Sequence, residues 1–360
     1  MENNQKFIPK GEMKVISSFQ TIWSAPSNIA LVKYWGKKGM QIPCNPSVSF
    51  TLNRCRTTTS VRFEKHIDEL DYVSFAVQYD AKPAPSFEPK VKAFIDRILP
   101  YAPYLKKYHL QIDTVNSFPH SSGIASSASA MAALAATIMD LEKQVYPSLT
   151  SENQTKKCSF LARLGSGSAA RSVEGPLVLW GEHNATPDSN DLFGVRWTKS
   201  ADVFKTYRDT ILLVDKGQKE VSSTVGHNLM HNHPFAENRF TQAKAHYQAL
   251  LTVLEKGDMD GFIDLVEREA LSLHAMMLTS SPSYILIHPN TIHIIQEVRR
   301  FRTATGLHLA FTLDAGANVH LLYPAHEVQK IDQFIESDLR KYCQDNELIY
   351  DRVGTGLKKL

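Results

Sequence analysis

The sequence predicts an α+β protein of two domains with a cleft between them. Period-2 strand patterns and helical patterns alternate in both halves of the chain. The pattern shifts near residues 202–209, just before a run typical of a buried strand. A length of 360 residues with 43% hydrophobic content suffices for about two domains with sizeable cores. We therefore expect a lead-in at 1–18, a first domain at 19–205 and a second at 206–360.

Strand patterns open the first domain, because residues 19–75 are rich in β-branched residues and short alternations. Pro89 can be the first residue of a helix, since proline fits that position well. Pro176 marks its segment as an edge strand or a strand entry. The predicted elements are strands at 47–52, 56–63, 107–115 and 173–180, and helices at 89–99, after Ser127, and at 150–164.

Helices dominate the second domain, where long stretches of helical period follow the buried strand at 210–215. Two strand patterns then flank a glycine-containing turn. The predicted elements are helices at 234–256, 259–277, 291–305 and 327–342, and strands at 307–313, 319–323 and 348–353.

Composition and charge exclude several classes of function. The net charge of +3, with acidic and basic residues interspersed, argues against nucleic-acid binding. The longest apolar-rich run, Ala128–Met139, is too short to span a bilayer, and no signal-peptide pattern opens the chain. The four cysteines lack paired spacing, which is typical of a reduced compartment. We therefore expect a cytoplasmic protein with neither nucleic-acid nor membrane partners.

The most informative stretch is 116–136, where small, hydroxylated residues lie between a strand end and an Ala-rich helix. Small side chains let backbone N–H groups approach a ligand at the positive end of a helix dipole, as a phosphate site requires. Ser121, Ser122, Ser126 and Ser127 add hydroxyls for phosphate oxygens or Mg²⁺. A Ser-capped helix on an ordinary loop would give the same pattern, and neither the Walker nor the Rossmann spacing is present.

Three further segments carry candidate chemical groups. Residues 25–38 present Lys33 and Lys37, residues 165–172 form a small-residue turn that contains Arg171, and residues 313–318 place Asp314 before a glycine turn. Taken alone, each has an ordinary explanation. The lysine can be solvated, the arginine can pair with an acid, and the aspartate can initiate a turn.

Together the four segments resemble the GHMP kinase superfamily and, within it, the mevalonate diphosphate decarboxylases. Residues 25–38 are similar to that family's Ala-Pro-x-Asn-Ile-Ala-x-x-Lys-Tyr-Trp-Gly-Lys motif. The loop within 116–136 is similar to the family's phosphate loop, Pro-x-x-x-Gly-Leu-Ala-Ser-Ser-Ala. The others match Gly-Ser-Gly-Ser-Ala-x-Arg-Ser and Asp-Ala-Gly-Pro-Asn, and residues 221–224 resemble a further family element. The motifs occur in the family's order from about residue 20 to 325. The chain departs from them at His120, Ala170 and Ala317.

This resemblance implies a fold, a reaction and cofactors. The fold would combine an N-terminal domain like domain 2 of ribosomal protein S5 with a ferredoxin-like C-terminal domain, and the active site would lie in the cleft. ATP, with Mg²⁺, would phosphorylate the C3 hydroxyl of mevalonate 5-diphosphate. Loss of that phosphate and of CO₂ would give isopentenyl diphosphate. The resemblance also implies a homodimer.

The resemblance assigns catalytic roles to Asp314, Lys33 and Arg171. Asp314 would accept the hydroxyl proton, and a late proton transfer suits a weak base in phosphoryl transfer. Lys33 would keep that carboxylate ionised, since a nearby opposite charge favours the charged form. Arg171 would hold the substrate carboxylate through two parallel N–H donors.

The remaining roles implied by the resemblance concern binding. The substrate would contact Asn28, Tyr34, Lys37, Ser166, Ser168 and Arg171. ATP and Mg²⁺ would contact Asn116, Ser121, Ser122, Gly123, Ala125, Ser126 and Ser127, with Ser127 as the candidate metal ligand.

Several alternatives stay open at the level of sequence. Related decarboxylases act on mevalonate 5-phosphate, a plain kinase would stop at C3 phosphorylation, and a silent member of the fold would only bind ligands. Lys90, Lys92 and Arg97 are further cations whose positions the sequence does not give. His227, His231 and His233 have metal-like spacing, but the proline at 234 and the lack of a completing ligand favour a solvated helix end.

Overall fold

The computed structural model describes residues 2–68, 70–119, 124–147, 151–217 and 223–360. Its architecture is α+β, as predicted. The strands are β1 Ser18–Val32, β2 Lys37–Lys38, β3 Ile42–Pro43, β4 Ser47–Lys65, β5 Ser74–Tyr79, β6 Lys82–Pro83, β7 Tyr108–Asn116, β8 Leu177–Trp180, β9 Val195–Trp197, β10 Arg208–Leu212, β11 Ala310–Leu313, β12 Val319–Tyr323, β13 Leu348–Arg352 and β14 Lys358–Lys359. The α-helices are α1 Glu88–Ile98, α2 Ser126–Val145, α3 Ser151–Gly165, α4 Asp202–Lys205, α5 Ser223–Leu229, α6 Ala236–Lys256, α7 Met259–Leu278, α8 Pro289–Thr305 and α9 Val328–Phe334.

The larger sheet is built on two long antiparallel strands. β1 pairs with β4 from Ser18 opposite Glu64 to Val32 opposite Val48, and β4 joins the two strands predicted at 47–52 and 56–63. The last seven residues of β1, from Pro26 to Val32, are all buried. Because both faces are covered there, the sequence shows an apolar run instead of alternation.

The Ala-rich helix α2 fills the core of the first domain. It packs against β1 and β4, and most of its residues are buried. Alanine side chains are small, so the helix approaches the sheet closely, and α3 packs beside it.

The second domain contains a four-stranded antiparallel sheet in the order β11-β12-β10-β13 among the described residues. Helix α7 packs on β11, and α8 and α9 belong to the same hydrophobic core as the sheet. The glycine-containing turn between β11 and β12 was predicted from sequence, and it carries Asp314.

One hydrophobic cluster joins the two domains. Phe50 and Leu177 of the first domain pack in the same cluster as Phe262 and Leu322 of the second. The chain then returns to the first sheet, because β14 pairs with β1. The domain limits at 205 and 206 stay a prediction.

Several element boundaries differ from the sequence analysis. The strands predicted from 173 and 307 begin only at Leu177 and Ala310. The helix predicted at 327–342 comprises α9, a π-helical turn at Ile335–Leu339 and a 3₁₀ turn at Arg340–Tyr342. An apolar stripe determines which side faces the core, but it does not determine which hydrogen-bond ladder the backbone uses.

Within the described ranges, no helix is long and apolar enough to cross a membrane. Cys44, Cys55, Cys158 and Cys343 are free thiols.

Candidate active site

An ion pair joins the two domains in the cleft. Lys33 directly follows β1, Asp314 directly follows β11, and the Lys33 Nζ lies 3.0 Å from the Asp314 Oδ1. The lysine side chain is 2% exposed and the carboxylate is 24% exposed. The charged lysine is therefore enclosed, while the aspartate stays accessible to a small ligand.

Hydrogen bonds to the backbone fix both members of this pair. The Lys33 amide donates to the Glu269 Oε2 at 2.8 Å. The Asp314 carbonyl accepts from the His274 Nε2 at 3.0 Å. Glu269 and His274 both lie on α7, so this one helix positions the ends of β1 and β11.

Glu269 is itself the centre of a buried network. Its two carboxylate oxygens accept from the Arg239 Nη1 and Nη2 at 2.9 and 2.5 Å, and its Oε1 accepts from the His246 Nδ1 at 2.6 Å. Burial alone would raise the pKa of Glu269. The hydrogen bond from His246 and the charge of Arg239 outweigh that effect, so the pKa is lowered. Glu269 is therefore an ionised group in the interior.

Sequence reasoning missed Glu269 and His274. The available signal was that both interrupt the apolar stripe of α7 formed by Ala270, Leu273 and Met277. A polar residue on a buried helix face needs partners, and these partners lie on distant segments.

Arg171 is fully enclosed next to the Lys33–Asp314 pair. Its Nε donates to the Ser49 Oγ at 2.5 Å, and its Nη1 donates to the Ser47 Oγ at 2.6 Å. Burial lowers the pKa of Arg171 to about 10, while the charge of Asp314 opposes this shift. Across the described parts of the chain, no carboxylate lies within ion-pair distance of Arg171, and Asp314 is the nearby acid whose charge acts on it.

The turn that carries Arg171 packs against Tyr34. A β-carbon on Gly167 would lie 2.7 Å from the Tyr34 hydroxyl oxygen, so this position requires glycine. Among the residues that the structure describes, the buried Tyr34 hydroxyl has no hydrogen-bond partner, and burial raises its pKa. The Ser166 and Ser168 hydroxyls lie 3.4 Å apart on the same turn. A ligand oxygen would satisfy the Tyr34 hydroxyl.

Asn28 braces this turn from β1. Its Nδ2 donates to the Ser168 carbonyl at 3.2 Å and to the Ser172 Oγ at 2.8 Å. The side chain is thus held in place by the protein itself.

Lys37 and Arg97 form a second group of cations, and Lys37 lies near the His227 ring that packs on Tyr34. Burial and the charge of Arg97 lower the pKa of Lys37, so two cations lie close together. The Arg97 Nη1 donates to the Leu164 carbonyl at 2.9 Å, and the Lys37 Nζ lies 3.5 Å from the Gln41 Oε1. Neither makes an ion pair with a carboxylate of the described chain. Arg97 is thereby located, which the sequence alone did not achieve.

The interpretation of the histidines as a solvated helix end is wrong for two of them. The ring of His227 packs 4.3 Å from Tyr34 and 4.7 Å from Trp35, and its Nδ1 accepts from the Gly36 amide at 3.0 Å. Burial, together with nearby Lys37, lowers the pKa of His227 to about 3. His233 is buried as well. The spacing indicated a surface helix, but α5 folds back onto the aromatic pair. In the described residues, no three His, Cys, Asp or Glu side chains form a possible metal site.

The predicted phosphate loop leads into α2. Ala125 has a left-handed conformation (φ 44°, ψ 40°) immediately before the helix, and the Ser27 Oγ donates to the Ile124 carbonyl at 2.5 Å. Ser126 is half-buried and Ser127 is exposed in the first turn, where no side chain caps the helix. The Asn116 Oδ1 accepts from the Thr57 Oγ1 at 2.7 Å. The predicted Ser121, Ser122 and Gly123, and residues 221–222, lie outside the described residues.

Comparison with known proteins finds relatives over most of the chain. The protein-family model named diphosphomevalonate decarboxylase-like N-terminal domain matches residues 25–191. The family model named mevalonate 5-diphosphate decarboxylase C-terminal domain matches residues 210–355. The diphosphomevalonate decarboxylase of Candida albicans is 30% identical over 86% of this chain and 85% of its own length. The diphosphomevalonate decarboxylase of Saccharomyces cerevisiae is 30% identical over 87% of this chain and 80% of its own length.

Solved structures show the same fold. Mevalonate diphosphate decarboxylase from Staphylococcus aureus is 27% identical with a TM-score of 0.81, covering 95% of this chain and 98% of its own. MDDEF in complex with MVAPP, AMPPCP and magnesium is 25% identical with a TM-score of 0.80, covering 95% and 99%. The two-domain α+β fold expected from the resemblance is thus confirmed.

Proposed function

This chain belongs to the mevalonate diphosphate decarboxylase family, and we propose that it catalyses the ATP-dependent decarboxylation of mevalonate 5-diphosphate. The products are isopentenyl diphosphate, ADP, phosphate and CO₂. The observation that carries this proposal is the contact between Lys33 and Asp314, with the buried Arg171 beside it.

Asp314 is the group that removes the proton from the C3 hydroxyl. Its carboxylate is partly accessible, its backbone is held by His274, and Lys33 holds one of its oxygens. The lysine favours the ionised carboxylate that a base requires. Phosphoryl transfer has a loose transition state, so positioning and charge neutralisation matter more than the strength of the base.

Arg171 binds the C3-side carboxylate of the substrate. The Arg171 Nε donates its hydrogen to Ser49, and Nη1 donates one of its two hydrogens to Ser47. These two bonds fix the plane of the guanidinium. Nη1 has a second hydrogen and Nη2 has two, so the end of the fork can still form two parallel hydrogen bonds. This refines the expected clamp, since the Nε edge is already in use. Asp314 must first pass the accepted proton to solvent or to a phosphate oxygen. Its carboxylate then stabilises the positive charge that develops at C3 as the C3 phosphate departs and CO₂ is released.

The residues before and within the first turn of α2 fit MgATP. Among the described residues no side chain caps the 20-residue helix, Ala125 turns the backbone into it, and Ser126 and Ser127 lie in its first turn. Such a helix start provides N–H donors and a positive dipole for phosphate. ATP supplies the transferred phosphoryl group, and Mg²⁺ neutralises its charge. Ser126, Ser127 and Asn116 would hold the nucleotide from this side.

The 5-diphosphate is proposed to occupy the pocket of Tyr34, Lys37 and Arg97, with Ser166 and Ser168 at its rim. Two cations with no carboxylate partner in the described chain favour a multiply charged anion, and the unpartnered Tyr34 hydroxyl adds a donor. This favours the diphosphate over the monophosphate. A cytoplasmic location and a homodimeric state complete the proposal.

The test is to incubate the protein with ATP, Mg²⁺ and either mevalonate 5-diphosphate or 5-phosphate, and to quantify ADP and CO₂. Equal amounts of ADP and CO₂, with a higher kcat/KM for the diphosphate, are expected. ADP without CO₂ would identify a kinase, and no ADP with any substrate would identify a silent binding protein. Asp314→Asn should abolish turnover while the Kd for ATP stays within several-fold of the parent value. Unimpaired turnover in this variant would contradict the role of Asp314.

A further inference from the structure

A cavity of about 370 Å³ lies at the end of the four-stranded sheet that is remote from Asp314. Its walls include three arginines, Arg54 at the bend of β4, Arg208 at the start of β10 and Arg352 at the end of β13. Asp314 adjoins the opposite end of this sheet. Leu313 is paired with Val319, whereas the cavity adjoins Tyr323 at the other end of β12. Four residues of strand separate the two ends by roughly 13 Å.

The arginines are arranged by strand register. Arg208 lies directly opposite Tyr323 on β12 and directly opposite Arg352 on β13. Directly opposed residues of antiparallel strands present their side chains on the same face, and like charges in such pairs are destabilising. Two guanidinium groups therefore share one face at the mouth of the cavity, and Arg54 adds a third.

The two acidic residues of the cavity only partly offset the charges of the three arginines, and both accept hydrogen bonds from other groups. Asp351 accepts hydrogen bonds from the backbone amides of Asn53, Arg54 and Cys55 at 3.0, 2.8 and 2.7 Å. Asp332 accepts from the Tyr323 hydroxyl at 2.6 Å. Both carboxylates are thus used to hold strands and helix together.

The guanidinium groups are incompletely satisfied. None of the three arginines forms an ion pair within the described residues, and the Arg54 Nη1 donates to the Tyr350 carbonyl at 3.3 Å. The Arg208 Nε is buried and has no hydrogen-bond partner in the described part of the chain. A buried donor without a partner costs free energy, and a ligand oxygen would recover it.

We propose that this cavity is a second binding site, separate from the active site, for a phosphate-bearing anion of about the size of pyrophosphate. Guanidinium groups bind phosphate oxygens through paired hydrogen bonds, and a multiply charged anion would remove the repulsion between Arg208 and Arg352. Asp332 and Asp351 limit the net charge of the site, so an anion must contact the arginines directly.

Thermal unfolding at constant ionic strength, with and without inorganic pyrophosphate, tests the site through Arg352→Gln and Arg208→Gln. In buffer free of pyrophosphate, each variant should unfold at the parent temperature or above, because the like-charge pair is removed. Pyrophosphate should raise the Tm of the parent more than that of either variant. A Tm that falls without pyrophosphate, together with an unchanged pyrophosphate effect, would overturn the proposal. If Arg208→Gln does not fold, the exposed Arg352→Gln decides.

Calorimetric titration separates this site from the active-site cleft. The parent should bind pyrophosphate at two sites. Arg352→Gln should weaken one site at least tenfold, and Lys37→Gln should weaken the other. Arg62→Gln, which removes an exposed arginine from β4, is the matched control and should bind like the parent.

Turnover of Arg352→Gln should stay within twofold of the parent, because Arg352 lies outside the proposed active site. The pyrophosphate-binding result can therefore be interpreted independently of the proposed reaction. A single site that only Lys37→Gln abolishes would overturn the proposal. Stronger binding of citrate than of pyrophosphate at the arginine site would overturn the assignment to phosphate.

Discussion

Removing the charge of Glu269 tests whether the buried network on α7 holds the active site together. Glu269 is fully buried and accepts hydrogen bonds from Arg239, His246 and the Lys33 amide. Glu269→Gln keeps the shape and one acceptor oxygen but leaves Arg239 as a buried, unpaired cation. Breaking a buried pair in this way costs about 3–5 kcal/mol. That is a large part of the roughly 5–15 kcal/mol by which a protein is stable.

A double variant tests whether the loss of stability comes from the unpaired charge. Glu269→Met with Arg239→Met removes both charges, and replacing a buried pair by apolar residues is often neutral. The double variant should therefore recover most of the stability lost in Glu269→Met alone. Urea denaturation with unchanged m-values measures all of these free energies of unfolding. Additive losses in the double variant would refute the reasoning, because the two residues would then not interact.

Catalysis provides a second readout. Glu269→Gln can still accept from the Lys33 amide, whereas Glu269→Met cannot. A displacement of about 1 Å at a reacting group can cost about 10²-fold in rate. We therefore expect kcat to fall more in the Met variant than in the Gln variant, with each assayed well below its unfolding midpoint. Equal kcat values in both would show that Glu269 stabilises the fold without positioning Lys33.

The network also predicts a dependence of stability on pH. The pKa of Glu269 is lower in the folded state than its ordinary value of 4.5. Its contribution is therefore complete above about pH 4.5 and is lost as the pH falls through the lower, folded-state pKa. Glu269→Gln should remove this part of the acid destabilisation, which denaturation at a series of pH values would detect.

Three further predictions concern the pocket around Tyr34 and Arg171. Arg171→Lys keeps the charge but loses the fork, so kcat/KM for the carboxylate substrate should fall by at least tenfold while the Kd for ATP is unchanged; normal kinetics would contradict the clamp. Gly167→Ala would place a β-carbon 2.7 Å from the Tyr34 hydroxyl oxygen. A stability loss of about 1–3 kcal/mol and a higher KM are expected, and a variant as stable as the parent would contradict the close contact. The pKa of His227 falls from 6.5 to about 3 on folding. Below pH 6.5 the unfolded state therefore binds a proton that the folded state does not, and the free energy of unfolding should decline by up to about 1.4 kcal/mol per pH unit. A His227→Phe variant that shows the same decline would contradict this assignment.

The proposed catalytic residues could be recognised in the sequence because each directly follows a strand or lies in a turn of small residues. Lys33 comes after an apolar run, Asp314 comes after another, and Arg171 lies among glycines and serines. Local patterns of this kind reveal the ends of elements, where functional side chains accumulate. The family resemblance supplied the order in which these ends come together.

The supporting residues were not predictable because their partners are remote in sequence. Glu269 contacts the Lys33 amide across 236 residues, and Arg97 lies near Lys37 although α1 shows only a helical period. Periodicity reports which face of a helix is buried, but it does not report which segment covers it. His227 shows the same limit, since its packing against Tyr34 depends on how α5 folds back.

β1 explains why the separate parts of the site keep a common geometry. Within seven residues of this strand, Ser27 holds the end of the phosphate loop, Asn28 holds the arginine turn, and Lys33 contacts both α7 and Asp314. A slip of one residue in the pairing of β1 with β4 would turn every one of these side chains to the opposite face. The β1–β4 pairing shifts register between Pro26 and Asn28 and again between Ala30 and Val32, so these irregularities determine which face each group occupies. The relative positions of the start of α2, the arginine turn and the Lys33–Asp314 pair therefore depend on the register of one buried strand.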